Sequence, residues 1–258
     1  MCGKISLMMS NIDETVNYYR EEAGFPEQVS ETFQQKIIKD WLNLLSKNNK
    51  IQNWRILDFG SGLGCNLATL KKFNFNNKII ACDVNKRALD YSRGKHDNKS
   101  VSYFLINGKK LSFKDKEFDL IIATEVFEHI LNFKEALVEI KRVIKNDGYF
   151  IISTPNYFNL TGLIKKFKDR KNILPMWGPW GGHKGGLERF TTWLNIEKLL
   201  SGFKIIATRG ADYQKSWFYN NPFFPVRFSK YILMWPGRIP LIKKLGMNYF
   251  ILSERNNL

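Results

Sequence analysis

Cysteine is scarce in this chain: three residues in 258, Cys2, Cys65 and Cys82, with no CxxC pair among them. That excludes a disulfide framework and a thiolate metal knot, and makes reduced thiols in a cytoplasmic protein the expectation. Histidine is equally rare, at His96, His129 and His183, so imidazole chemistry has few places to occur. No apolar run approaches the ~20 residues that span a bilayer. The amino-terminal MCGKISLMMS has too short an apolar stretch for a secretory signal. Repeats and low-complexity tracts are absent. Acids are few: 24 Asp plus Glu stand against 40 Lys plus Arg, a net charge of +16. From Tyr213 to Ser253 there is no acid at all.

What is present suffices for one folded domain. At 258 residues with 44% hydrophobic side chains the chain can bury a full core. Asn11 to about Ser46 reads as two helices broken near Gly24-Phe25-Pro26. The second carries apolar residues at Phe33, Ile37, Ile38, Trp41 and Leu45, a helical stripe. Strands and helices then alternate to about Pro155, the pattern of a doubly wound parallel α/β sheet. Phe133 to Val143 reads as helix, Lys145 to Gly148 as a turn and Tyr149 to Ser153 as a strand. Arg189 to Gly210 reads as a capped helix followed by a strand. The division expected is a helical cap over 1–50 and a main domain over 51–258, with insertions at about 156–188 and 212–246.

The most informative run is ILDFGSGLG, Ile56 to Gly64. An apolar strand ends in an acid, turns through glycines at every second position, and gives way to helix from Asn66. Such a turn presents backbone N–H groups to a ligand, and glycines let the ligand approach where a Cβ would collide. Asp58 is a carboxylate at the strand end, suited to an ammonium group. In KIIACDVN, Lys78 to Asn85, a buried strand ends in Asp83, about twenty residues past the turn. Two readings stand for Asp83: it accepts the hydroxyls of a ribose, or it caps the helix expected from Lys86. FLINGKKLSF, from Phe104, runs into Asn107-Gly108, and FDLIIATEVFEHI, from Phe118, turns at Thr124-Glu125.

With these four segments in order the chain resembles the Rossmann-like S-adenosylmethionine-dependent methyltransferases. It looks closest to the group that includes ubiquinone-biosynthesis O-methyltransferases and enzymes acting on glycans. The resemblance implies a mostly parallel seven-stranded sheet, helices on both faces and an antiparallel last strand. It assigns Asp58, Gly60, Ser61, Gly62 and Gly64 to the methionine end of S-adenosyl-L-methionine. Asp83 with Val84 would take the ribose, Asn107 with Gly108 the adenine edge, and Thr124 would lie beside the sulfonium. Many relatives carry Asp where Asn107 stands; Asn keeps the acceptor and loses the charge.

Methyl transfer to a hydroxyl needs the acceptor in line and its proton removed. Glu125, Glu128 and His129 stand at i, i+3 and i+4, so a helix starting at Thr124-Glu125 would put them on one face. His183 falls in a Gly/Trp-rich stretch near the expected acceptor site. Glu128, His129 and His183 are therefore the catalytic candidates. The run also resembles the ExxEH-plus-distal-His metal site of small-RNA 2′-O-methyltransferases. That resemblance implies Mg²⁺ or another divalent ion held by Glu125, Glu128, His129 and His183. A metal-free base at His129 and a structural EH pair are the alternatives.

In the acid-free tract, basic residues alternate with Trp217, Phe218, Tyr219, Phe223, Phe224, Phe228, Tyr231 and Trp235. Prolines at 222, 225, 236 and 240 break it into short pieces. Such a tract suits an anionic membrane surface over 213–246, or single-stranded nucleic acid, or mere cover for a sheet edge. The leading expectation is an O-methyltransferase for a glycan precursor, lipid-linked saccharide or quinone-type ring, peripheral at the inner membrane face, in polysaccharide biosynthesis. An RNA methyltransferase and a non-catalytic cofactor-binding protein are the alternatives. Nucleic acid ranks lower as a partner, because the basic tract is unusually apolar.

Overall fold

The computed structural model describes residues 33–48, 53–73, 78–96, 99–107, 110–130, 132–168, 176–177, 188–211 and 238–256. Cys2, the expected helix before Gly24, Gly108, His183 and 212–237 of the basic tract lie outside them. The sheet is built from β1 (Arg55–Phe59), β2 (Lys78–Asp83), β3 (Val101–Leu105), β4 (Phe118–Thr124), β5 (Ile144–Pro155), β8 (Phe203–Ala211) and β9 (Asn248–Arg255). Their order is β3-β2-β1-β4-β5-β9-β8. β1 is parallel to β2 and β4, and β4 to β5, while β9 runs antiparallel between β5 and β8. A separate two-stranded ribbon pairs β6 (Met176–Trp177) with β7 (Glu188–Arg189).

Alternation along the strands divides the core into two layers. Ile56, Ile79, Ala81, Leu120, Ile122 and Ile151 face α1 (Phe33–Asn48) and α2 (Cys65–Leu70). Leu57, Ile80, Cys82, Ile121 and Ile152 face α4 (Phe133–Val143) and α6 (Trp193–Leu199). In α1 the expected stripe holds, with Ile37, Ile38, Trp41, Leu42 and Leu45 all buried. Asp40 of α1 also accepts from Arg209 of β8 at 2.6 Å, tying the helix across the far side of the sheet.

Two expectations need correcting. The turn expected at Lys145–Gly148 is absorbed into β5 as an irregularity: Phe118 pairs with Ile144 and Leu120 with Tyr149, so the extra residues bulge out of register. No α-helix starts at Thr124-Glu125. Glu125 takes a left-handed φ of 55° and only a short 3₁₀ turn, Phe127–His129, follows. Phe127 explains this, because its ring is fully buried against Phe59, Phe133 and Phe150, pulling the turn tightly down onto the core.

Candidate cofactor and acceptor site

The carboxyl ends of β1, β2 and β4 meet where the strand order reverses, the place where open α/β sheets bind ligands. The glycine turn after β1 is stitched to β2: the N–H groups of Gly60 and Ser61 donate to the Cys82 carbonyl at 2.9 and 3.0 Å. The Gly62 N–H donates to Asp83 Oδ2 at 2.8 Å, and the Gly64 N–H to the Ser61 carbonyl at 2.9 Å. The N–H groups of Gly60, Ser61, Gly62 and Gly64 are thus spent on rigidity. The glycines divide the remaining work. A Cβ on Gly60 would strike Val126, so the turn after β4 lies against it. Gly64, at φ 82°, abuts Ser92 and His96 of α3 (Lys86–His96). Gly62, at φ 49°, has no atom of the described residues within 4 Å of where a Cβ would stand. A glycine here leaves room for a nucleoside ligand to approach the backbone.

Asp83 is not the cap of α3. That role falls to Asn85, whose Oδ1 accepts from the Ala88 N–H at 3.0 Å. Asp83 instead accepts from the N–H groups of Gly62 and Asn85, both at 2.8 Å. Burial pushes its carboxyl above the ordinary range, with those N–H donors acting against the shift. Val84 follows it on the same edge. Asn107 is exposed just beyond β3, whose Leu105 is the register partner of Asp83.

Asp58 is completely buried. Asn66 donates to its Oδ1 at 2.8 Å, while its buried Oδ2 meets no donor among the described residues. Desolvation pushes this carboxyl up to about 7, with the Asn66 hydrogen bond opposing and nearby Asp83 reinforcing the rise. The same Asn66 amide donates to Thr124 Oγ1 at 3.0 Å, which also accepts from Gln34 of α1 at 2.6 Å. Ser61 Oγ is a further buried hydroxyl without a partner among the described residues. Asn66 and Gln34 were not found in the sequence. A polar residue in the buried first turn after the glycines was a visible signal for Asn66. Gln34 lies 90 residues from Thr124 and gave none.

The three members of the EVFEH run diverge. The Glu125 carboxylate reaches across the sheet: it accepts from Ser153 Oγ at 2.6 Å and from Asn248 Nδ2 at 2.7 Å. Glu128 is almost wholly buried in the 3₁₀ turn. His129 is partly exposed beside it, its Nε2 3.8 Å from Glu128 Oε1, beyond hydrogen-bond reach. The shared helical face does not form, and among the described residues no three His, Cys, Asp or Glu side chains gather to hold a metal ion. The divalent site expected at Glu125, Glu128 and His129 is therefore unsupported, and His183 lies outside the described residues.

The STPN turn is structural at its last residue. Buried Asn156 donates to the carbonyls of Lys244 and Gly246 at 2.9 and 2.8 Å. Its Oδ1 accepts from the N–H groups of Trp193 and Phe158, at 3.1 and 3.3 Å. Helix α5 (Leu160–Lys168) leaves from this junction at the carboxyl end of β5.

Residues 57–152, from β1 into β5, match the family described as "Methyltransferase domain". The chain is 30% identical over 233 residues to the uncharacterized protein MJ0638 of Methanocaldococcus jannaschii, covering 88% of each. It is 33% identical over 113 residues to the ubiquinone biosynthesis O-methyltransferase of Rickettsia bellii, 43% of this chain and 46% of that one. A solved S-adenosylmethionine-dependent methyltransferase from Aquifex aeolicus superposes with TM-score 0.52 at 15% identity, over 88% of this chain and all of the other.

Proposed function

Because the chain belongs to the S-adenosylmethionine-dependent methyltransferases, we propose that it methylates a hydroxyl of an amphiphilic acceptor, such as a lipid-linked saccharide, other glycan precursor or quinone-type ring, at an anionic membrane surface. The observation that carries the acceptor class is the outer face of α5. Leu163, Ile164 and Phe167 are 47%, 46% and 68% exposed, and their i, i+1, i+4 spacing makes one apolar patch. Lys166 lies on the same helix, its Nζ 4.3 Å over the Phe190 ring, and Lys244 Nζ lies 3.7 Å over Trp193. Neither 157–168 nor 238–247 contains an acid. A greasy patch on a basic, acid-free segment complements an anionic bilayer. The name of the Rickettsia bellii relative supports an oxygen acceptor.

When bound, the cofactor supplies a methyl group on an electrophilic sulfonium; positioning, drying and proton removal are left to the chain. Gly60, Ser61, Gly62 and Gly64 form the cradle, with Asp58 and Thr124 at the amino-acid end. The Asp83 carboxylate, oriented by two backbone donors, keeps lone pairs for a ribose diol. Val84 flanks the sugar, and Asn107 offers its amide to the adenine edge. His129, partly exposed, is the group we assign to take the acceptor proton, with buried Glu128 beside it.

Radiolabelled cofactor offered with membrane-lipid, saccharide and RNA fractions tests this directly. Label is expected in the lipid fraction. Transfer to RNA instead would replace the acceptor class with the RNA alternative, which the net charge of +16 would then explain. Asp83→Ala is expected to weaken cofactor binding at least about tenfold in calorimetry, the loss of one or two charge-assisted hydrogen bonds. Unchanged affinity would reject the ribose assignment.

A further inference from the structure

Four elements deliver polar side chains to one point: Asp58 from β1, Asn66 from α2, Thr124 from β4 and Gln34 from the first turn of α1. Counting hydrogens fixes the orientation of each. Gln34 has two amide hydrogens, given to Asn66 Oδ1 at 2.9 Å and Thr124 Oγ1 at 2.6 Å. Asn66 also has two, given to Asp58 Oδ1 at 2.8 Å and Thr124 Oγ1 at 3.0 Å. Both lone pairs of the Thr124 hydroxyl are therefore taken, and its own hydrogen must point elsewhere. Three functions are left over among the described residues: Asp58 Oδ2, anionic once the carboxyl gives up its proton, the Gln34 carbonyl oxygen and the Thr124 O–H. Two acceptors, one of them anionic, beside a hydroxyl donor match a group carrying an ammonium and a carboxylate.

We propose that Gln34, brought in by α1, is a positioning residue that completes the subsite for the amino-acid end of the cofactor. It locks the amide of Asn66 and the hydroxyl of Thr124 in one polarity and leaves its carbonyl to a cationic group. The helix is held on the sheet independently, through its buried stripe and the Asp40–Arg209 pair, and Gln35 adds a 2.8 Å bond to the Cys65 carbonyl. Loss of Gln34 therefore removes recognition and leaves the helix docked. This inference rests on the cofactor reading above.

Two ligands that share the nucleoside and thioether separate the possibilities: S-adenosylhomocysteine, which has the amino-acid end, and 5′-methylthioadenosine, which lacks it. In calorimetry Gln34→Met is expected to lose about tenfold in affinity for the first, the worth of one hydrogen bond, and less than about twofold for the second. Thr124→Val should show the same selective loss, and the double variant should lose less than the sum of the two. Hydrogen exchange over 33–48 should slow with S-adenosylhomocysteine and much less with 5′-methylthioadenosine. An equal loss for both ligands, or no loss in either variant, would overturn the assignment of Gln34. A wild-type protein binding neither nucleoside would overturn the cofactor reading itself, and this inference with it.

Discussion

Asp58 is an acid placed where water cannot reach it, with one oxygen bonded to Asn66 and the other facing no donor among the described residues. The sign of its effect on stability follows from linkage. In the unfolded chain it ionises near 3.8, and in the fold it holds its proton to about 7 because burial disfavours the charge. Between those values the folded state binds the extra proton, so stability is fully present below about pH 4 and falls as pH rises to about 7, at up to about 1.4 kcal/mol per pH unit. Asp83, also raised by burial, adds in the same direction. Asp58→Asn is expected to flatten the decline in melting temperature between pH 5 and pH 8, and to be the more stable protein at pH 8. Its affinity for S-adenosylhomocysteine should fall, because an ammonium group favours the ionised carboxylate. In the wild type, binding near pH 6 should release a proton, read as a dependence of calorimetric heat on buffer ionisation enthalpy; Asp58→Asn should lose that release. The acid and its strand-end position were legible in ILDFGSGLG. Its missing second partner was not, since that depends on what packs around it.

Local runs with strong periodicity survive as elements: the stripe of α1, the apolar strands β1, β2 and β4, and the amphipathic helix α4 all stand where the pattern put them. The EVFEH segment fails because its outcome is decided by a distant packing event. The spacing of Glu125, Glu128 and His129 favours a helix, but Phe127 inserts among Phe59, Phe133 and Phe150, and Glu125 is bonded across to Ser153 and Asn248. Contacts that span up to 123 residues leave no local trace. The STPN turn is a similar case, legible as a turn but opaque in purpose. Asn156 joins three elements, the end of β5, the start of α6 and the segment entering β9, through four hydrogen bonds. Asn156→Ala would strand two carbonyls and the Trp193 N–H in a buried junction. The expected cost is roughly 3–5 kcal/mol, read as a lower urea midpoint at unchanged slope. A loss under about 1 kcal/mol would mean that water replaces the side chain and that the junction is softer than its burial implies.

At the scale of the whole molecule, most of the excess positive charge falls in residues 157–258, where 17 Lys plus Arg stand against 5 Asp plus Glu, whereas the exposed apolar patch of α5 is more local still. Among the described residues no helix is long and apolar enough to cross a membrane, so attachment through α5 would be to a surface. Inserting the Phe167 ring, 68% exposed, into the headgroup boundary would contribute about 1.5–3 kcal/mol. Phe167→Asp removes that gain and adds a charge the anionic surface repels, so it should cut vesicle affinity by at least about tenfold. The basic residues of 157–258 supply a second, screened contribution, so wild-type binding to vesicles rich in phosphatidylglycerol should weaken between 50 and 500 mM salt, roughly the range over which the Debye length shrinks from above 10 Å to a few ångströms. Neutral phosphatidylcholine vesicles should capture little protein under either condition. Sedimentation separates this from charge alone: a protein attracted only by its net +16 would lose binding with salt yet be indifferent to Phe167→Asp beyond the single charge, matching Lys78→Gln, which also lowers the charge by one, on the opposite end of the sheet. Equal losses in those two variants would mean that the α5 patch does not enter the bilayer, and with it would go the argument for an acceptor presented from lipid.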